Sequence, residues 1–245
     1  MSIKSEQTNW RGLYMVGGVA ALLAAVVFRR NLGAEISLFS VPTHPVAGLE
    51  WFALLQSNPL LGLTYLNLFD VVDYLLVALM YLALWAALQR ANRSAVLVAL
   101  TLGLAGITIY VASNAALSML ALSQQYAAAT TETQRALLLA AGQAMLALSD
   151  PLMVGPSTGT YLSLLLVALS GLIFSSVMLQ SDVFSRSTAY VGVLASALDL
   201  TFCVTIAFLP GLKVMLLATA GLFWFLWHIL IAYRLIQLGF RHVGV

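Results

Sequence analysis

The sequence predicts an all-α integral membrane domain with six transmembrane helices and two helical segments outside the membrane. Hydrophobic residues make up 62% of the 245 residues and charged residues only 8%, whereas soluble domains contain about 45–50% and about 25%. The apolar runs are long enough for membrane helices, and none alternates in the manner of an outer-membrane β-strand. Because lipid offers the backbone no hydrogen-bond partner, such runs must span as helices.

The whole chain is predicted to form one domain in which spans are joined by connections of unequal length. The predicted spans are residues 13–28, 63–88, 94–122, 160–179, 187–209 and 212–238, and the predicted outer segments are residues 31–62 and 123–159. The first span is short, with Trp10 and Tyr14 at one interface and Arg29 and Arg30 at the other. These arginines occupy the place of a signal-peptide cleavage site, so we expect the span to be retained.

Each outer segment contains a predicted helix. Three prolines prevent the first segment from forming one continuous helix. Within it, Val46–Ser57 has apolar residues at helical spacing and suits a helix lying on the membrane or folded over the bundle. In the second segment, Thr131 and Gln134 have the form of a capping box. We expect a helix from there to about Leu148 that lies at the membrane interface or covers the bundle; a re-entrant helix is the alternative.

Small residues and turn residues predict how the spans meet. Gly103 and Gly106 in the third span suit a close approach between helices. Pro210 and Gly211 predict the tightest turn of the chain, between the fifth and sixth spans.

The basic residues predict the orientation. With six spans, seven of the 11 Lys and Arg residues lie on the side of the two termini, namely Lys4, Arg11, Arg90, Arg93, Arg186, Arg234 and Arg241. Because Lys and Arg are enriched on the cytoplasmic side, both termini are predicted to be cytoplasmic. The two long segments are then outside.

Six polar side chains on three spans form the candidate ligand-binding site. They are Asn67, Asp70, Asp73, Tyr74, Asn114 and Asp199. A charge at mid-bilayer costs about 2.5–3.5 kcal/mol on insertion scales, yet three helices are predicted to place Asp or Asn side chains at similar depth in the outer half. If one helix runs unbroken from Leu63, Asp70 lies about 10 Å and Asp73 about 15 Å deep.

The acids in the predicted spans need a partner, because the Lys and Arg residues within the predicted spans are limited to Lys213 and Arg234, both near the ends of the sixth span. We expect at least one of Asp70, Asp73 and Asp199 to be protonated, bound to a cation or hydrogen-bonded. The two arginines after the first span are a further possible partner for Asp70. His228 lies by count in the inner half of the sixth span and is interpreted as a bonded core residue.

Several catalytic sites do not fit the sequence. Intramembrane aspartyl proteases use paired aspartates on separate spans, but Asp199 lacks the glycines that surround the second aspartate of that family. A zinc hydrolase needs about three protein ligands, whereas His44, His228 and His242 lie in an outer loop, a span and the tail. No serine has a nucleophile-elbow context, and Cys203 is interpreted as a small core residue. We predict no cofactor, metal or nucleic-acid partner.

Three stretches carry a family resemblance: Asn67–Leu88, residues 127–148 and the Phe28-Arg29-Arg30 step after the first span. They resemble bacterial multi-pass proteins grouped as a domain of unknown function, the family numbered 4386. The resemblance implies six or seven spans, a helical outer segment between the third and fourth spans, and a place in the inner membrane of a prokaryote. It implies no activity, cofactor or catalytic residue.

The leading functional hypothesis is a non-enzymatic protein that binds or moves a small cation, a proton or an amphiphilic ligand through an outward-facing polar pocket. Its predicted partners are the lipid bilayer and that ligand. One alternative is a structural or partner-binding membrane protein whose polar residues only brace the bundle, with about 0.6 kcal/mol per hydrogen bond. A second alternative is a lipid-directed intramembrane enzyme.

Overall fold

The computed structural model describes residues 10–40, 45, 47–149, 157–205 and 212–240. Within these residues there is no β-strand, and six helical segments are long and apolar enough to cross a membrane. Large apolar side chains lie on their outer surface; Leu22 is 47% exposed and Leu75 is 53% exposed. So many exposed apolar side chains indicate a lipid-facing surface. The predicted class, an all-α multi-span membrane protein, is confirmed.

The helices are numbered in chain order. They are α1 (Arg11–Ser40), α2 (Gly48–Ser57), α3 (Pro59–Tyr65), α4 (Leu68–Leu88), α5 (Arg93–Ser113), α6 (Ala116–Ala128), α7 (Glu132–Ser149), α8 (Thr158–Leu179), α9 (Arg186–Thr205) and α10 (Lys213–Phe240). The membrane-length segments lie in α1, α4, α5 with α6, α8, α9 and α10. α4 has 21 residues and is therefore about 31 Å long, which matches the roughly 30 Å hydrocarbon core of a bilayer.

Two predicted spans contain a helix break that the sequence prediction did not include. The stretch 63–88 is divided between α3 and α4 by Asn67, which has φ 60° and ψ 33°. Asn is among the few residues other than glycine that adopt this left-handed conformation readily. The stretch 94–122 is divided between α5 and α6 at Asn114 and Ala115. Apolar side chains continue across both breaks, so hydropathy does not reveal them.

Other element boundaries agree more closely with the sequence. The predicted helix in Val46–Ser57 is confirmed as α2. The backbone N–H of Gln134 donates to Thr131 Oγ1 (3.2 Å), as the capping box requires. The second bond of the box differs from the expected one, because Gln134 Oε1 accepts from the N–H of Thr130 rather than from that of Thr131. α1 continues well past the predicted end of the first span. The predicted Pro210-Gly211 turn, the end of the fifth span, and His44 and His242 lie outside the described residues.

The six long helices form a closed ring. Each packs against the next in the order α1, α4, α5, α8, α9, α10, and α10 returns to α1. The contact between α4 and α5 is the least extensive of these, and α4 also touches α8 across the ring. Gly103 permits one close approach, since a Cβ atom there would lie 2.5 Å from the Tyr81 ring. At Gly106 a Cβ atom would lie 3.0 Å from the backbone oxygen of Ser163, so the predicted close packing of both glycines is confirmed.

The short helices α2, α3, α6 and α7 form a second layer with its own hydrophobic core, which includes Trp51, Phe52 and Met119. Polar bonds hold the layer together: the Ser123 hydroxyl donates to the backbone oxygen of Phe52 (3.1 Å), and Gly48 N–H donates to Gln143 Oε1 (2.9 Å). This second layer, called the outer layer below, covers the end of the ring where α4 begins, α5 ends and α8 begins.

Candidate functional site

One cavity of about 120 Å³ lies inside the ring of long helices. The structure brings all six predicted site residues to its wall: Asn67, Asp70, Asp73, Tyr74, Asn114 and Asp199. Its volume leaves room for at least a few water molecules. That these residues bind a ligand stays a prediction; that they meet around one space is a property of the fold.

α4 supplies a polar stripe along the cavity. Five side chains of α4 line the cavity, and their spacing puts them on one helical face over about 16 Å. They are Asp70, Asp73, Tyr74, Val77 and Tyr81. Because α4 begins at Leu68, Asp70 lies in its first turn. The predicted depths assumed one unbroken helix from residue 63, and that assumption is wrong. A carboxylate in the first turn interacts favourably with the positive end of the helix dipole.

Asp70 lies against a pair of tyrosines. The Tyr110 hydroxyl donates to Asp70 Oδ2 at 3.1 Å. The Tyr110 ring stacks on Tyr74, with ring centroids 4.3 Å apart and an angle of 13° between the planes. The hydrogen bond and the stack together hold α5 against α4 and give this side of the cavity an aromatic wall.

Asp73 is the most deeply buried carboxyl group in the described part of the cavity wall, with 5% of the residue exposed. Its Oδ1 atom has no hydrogen-bond partner among the described residues. A buried polar atom without a partner costs about 1–3 kcal/mol, so most such atoms are bonded to protein or water. This atom is therefore available to something inside the cavity.

Asp199 begins a chain of hydrogen bonds to His228. Trp224 Nε1 donates to Asp199 Oδ2 at 2.6 Å, and His228 Nδ1 lies 2.7 Å from the backbone oxygen of Trp224. Because a carbonyl oxygen only accepts, Nδ1 carries the hydrogen of the neutral ring. His228 Nε2 is then an acceptor, and it has no partner in the part of the chain described.

Placing His228 away from the acids was an error of the sequence prediction. The residue is buried and bonded, as expected, but it lines the same cavity as the aspartates. The sequence does contain a signal: Leu217, Gly221, Trp224 and His228 follow helical spacing and all line the cavity. Counting residues from the end of the span did not reveal that these four side chains share one helix face with the cavity.

Asn114 has a structural role. Its Nδ2 donates to the backbone oxygens of Leu66 (3.3 Å) and Asn67 (3.2 Å), and its Oδ1 accepts from Ala116 N–H (3.0 Å). These bonds use the main donor and acceptor capacity of the amide. For this residue, hydrogen bonds that brace the helices describe the geometry better than contact with a ligand.

The unpartnered polar atoms of the cavity wall are all able to accept a hydrogen bond. They are Asp73 Oδ1, Ser149 Oγ and His228 Nε2, and the Tyr81 hydroxyl has only the Ser170 side chain beside it. Among the described residues that line the cavity, none is Lys or Arg. The site is thus rich in acceptors and poor in cations. The sequence did not predict four of the lining residues, because single tyrosines, serines and tryptophans in apolar runs resemble ordinary packing residues. These four are Tyr81, Tyr110, Ser149 and Trp224.

A surface groove adjoins the cavity at Ser113 and Asn114, which line both. The groove runs between the α5–α6 break, the end of α7 and the start of α8. Thr160 Oγ1 donates to the backbone oxygen of Ser149 (3.3 Å), and both residues line the cavity. Small polar side chains therefore lie where the groove and the cavity adjoin.

The ring and its cavity define a six-span helical membrane protein with an acidic, partly aromatic internal site. No group of three or more His, Cys, Asp and Glu side chains among the described residues is arranged to hold a metal ion. No family model, curated protein or solved structure matches the chain. The resemblance to the family numbered 4386 therefore stays a prediction.

Proposed function

We propose that the protein binds, and moves across or into the membrane, a small cationic species: a proton, a small cation or a cationic amphiphile. The observation that carries this proposal is Asp73, whose buried Oδ1 lacks a partner in a cavity that Asp70 and Asp199 also line. Intramembrane carboxyl groups that face a cavity commonly mark ion or substrate pathways.

The groove at the α5–α6 break supports an access route from the end of the ring that the outer layer covers. The contact between α4 and α5 is the least extensive in the ring, and α4 carries most of the acidic stripe. A ligand that passes Ser113 and Asn114 reaches Asp70 first and then Asp73, one turn further along α4.

The proposal includes an orientation. Both termini are cytoplasmic and the groove opens to the outside, in the inner membrane of a prokaryote. The excess of Lys and Arg on the side of the termini supports this orientation. Cysteine substitutions at Gln124, in the outer layer, and at Asp182, in the α8–α9 turn, test it in intact cells. A membrane-impermeant thiol reagent should label only the first.

The alternative role, bracing of the bundle, is favoured by the bonds that Asp70, Asp199 and Asn114 make. It does not account for Asp73, because an oxygen without a partner braces nothing. The two roles therefore differ most at this residue.

Asp73→Asn provides the test in purified protein, with Asp182→Asn as the matched control, since Asp182 is an exposed carboxyl group in the α8–α9 turn. In liposomes, the wild type and Asp182→Asn should carry a proton or cation current that Asp73→Asn loses, while all three keep similar thermal stability. Equal currents in all three, or none in the wild type, would refute the proposal. A large fall in stability for Asp73→Asn would favour bracing.

A further inference from the structure

The unpartnered atoms of the cavity indicate the chemistry of its ligand. We infer that the cavity binds an organic ammonium ion, a primary or secondary amine in its protonated form, whose apolar part is no larger than about one benzene ring. This inference rests on the proposed function and names the class of cation. It follows from three independent features of the wall.

The first feature is the direction of the available hydrogen bonds. His228 Nε2 can only accept, because Nδ1 donates to the backbone oxygen of Trp224. Asp73 Oδ1 is a carboxyl oxygen, and the Tyr81 hydroxyl can accept as well. All three residues are more than nine-tenths buried. Asp73 Oδ1 and His228 Nε2 have no described partner, and the Tyr81 hydroxyl has only the neighbouring Ser170 side chain. A ligand that satisfies them must bring N–H donors, and one that also neutralises a carboxylate must bring a positive charge.

The second feature is the aromatic wall. The stacked Tyr74–Tyr110 pair, Phe28 and Trp224 line the same space as the carboxyl groups. Aromatic faces attract ammonium groups, and the attraction grows when the site is desolvated. An inorganic cation instead requires a shell of oxygen ligands, about six to eight for Ca²⁺. The described residues offer no metal cluster of that kind.

The third feature is size. The cavity has about 120 Å³, and an engineered apolar cavity of about 150 Å³ in another protein binds benzene. Apolar side chains such as Val77, Leu164, Val167 and Leu217 complete the wall. A short alkyl or single-ring amine therefore fits, with its ammonium group toward Asp73 and its apolar part against the aromatic and aliphatic side chains.

Benzylamine, which is protonated at neutral pH, is a suitable probe. Its matched controls are benzyl alcohol, which has the same ring without the charge, and NaCl at equal ionic strength. We expect saturating benzylamine to raise the Tm of the detergent-purified protein by roughly 5 °C, whereas benzyl alcohol and NaCl leave it unchanged. Asp73→Asn should lose the shift and Asp182→Asn should keep it.

Tyr81→Phe offers a second variant should Asp73→Asn fold poorly. It removes only the hydroxyl and keeps the ring that packs on Gly103. We expect it to weaken benzylamine binding several-fold without a comparable loss of stability in the absence of ligand.

Different failures lead to different conclusions. If benzyl alcohol stabilises the protein as well as benzylamine does, the cavity is only an apolar pocket and the ammonium inference is wrong. If benzylamine has no effect but the Asp73-dependent proton or Na⁺ current is present, the inference is wrong and the proposed function stands. If benzylamine has no effect and no Asp73-dependent current exists, both are wrong.

Discussion

The side-chain amide of Asn114 donates a hydrogen bond to the backbone oxygen of Asn67, 3.2 Å away. Each residue lies at a helix break, one between α5 and α6 and the other between α3 and α4. Helix ends leave backbone groups without intrahelical partners, and a single side chain here satisfies groups at both breaks. The two breaks therefore form one unit, which determines where α4 begins and thus where Asp70 faces the cavity.

Asn114→Ala is expected to destabilise the protein by about 1–3 kcal/mol, because it leaves backbone groups at both breaks without their partner. Gln124→Ala, at an exposed position of α6, is the control and should change stability by less than about 0.5 kcal/mol. Thermal unfolding in detergent measures both. Equal stability of the two variants would mean that water replaces the Asn114 amide.

The conformation of Asn67 leads to a second prediction. At φ 60°, an Ala residue destabilises the folded state by roughly 1–2 kcal/mol through backbone strain. A Gly residue has no such strain, and it lowers the free energy of unfolding mainly because it makes the unfolded chain more flexible. Asn67→Gly should therefore be more stable than Asn67→Ala by about 1 kcal/mol or more.

The same pair of variants tests whether the Asn67 side chain contacts a ligand. If benzylamine stabilises Asn67→Gly as much as the wild type, the residue acts through its backbone. Loss of that stabilisation in a well-folded Asn67→Gly protein would assign the amide to the binding site.

Composition and the length of apolar runs predicted the six spans, because these same properties determine whether a helix is stable in a bilayer. They also identified the polar residues of the site, since Asp70, Asp73 and Asp199 are the residues that a lipid-facing helix would avoid. Their meeting around one cavity follows from the ring of helices, which no single segment encodes.

The breaks and the place of His228 could not be predicted in the same way. The left-handed residue Asn67 depends on a bond from Asn114, 47 positions further along the chain. Counting residues from a presumed interface assumes that every helix starts at the same level. α10 has 28 residues, more than a bilayer requires, so the count placed His228 away from the acids.

Gly192 provides a test of packing among α8, α9 and α10. A Cβ atom there would lie 2.1 Å from Ser175 Oγ and 2.2 Å from Trp227 Nε1. Gly192→Ala should therefore cost about 1–3 kcal/mol through overpacking. Gly12→Ala is the matched control, because a Cβ atom at Gly12 meets nothing within 4 Å, and it should be neutral or slightly stabilising.

Thermal unfolding of the two glycine variants distinguishes a close helix contact from a general effect of losing a glycine. If both variants lose the same stability, the three helices move apart easily at Gly192, and the tight packing between them is not needed for the fold.

The hydrogen bond from Trp224 to Asp199 should couple the two residues energetically. Trp224→Phe removes the donor and keeps much of the aromatic packing, while Asp199→Ala removes the acceptor. Since the Nε1–Oδ2 distance is 2.6 Å, a double-mutant cycle of these substitutions should give a coupling free energy of at least about 1 kcal/mol.

The control cycle pairs Trp224→Phe with Asp182→Asn in the exposed α8–α9 turn, and its two effects should add to within about 0.5 kcal/mol. Trp224 also fixes His228 through its backbone oxygen (2.7 Å), and that bond survives in Trp224→Phe. The variant should therefore keep His228 Nε2 directed as an acceptor, although the protein is less stable. Additive effects in the Asp199 cycle would mean that the carboxyl group finds another donor, and the chain from Asp199 to His228 would then not hold α9 to α10.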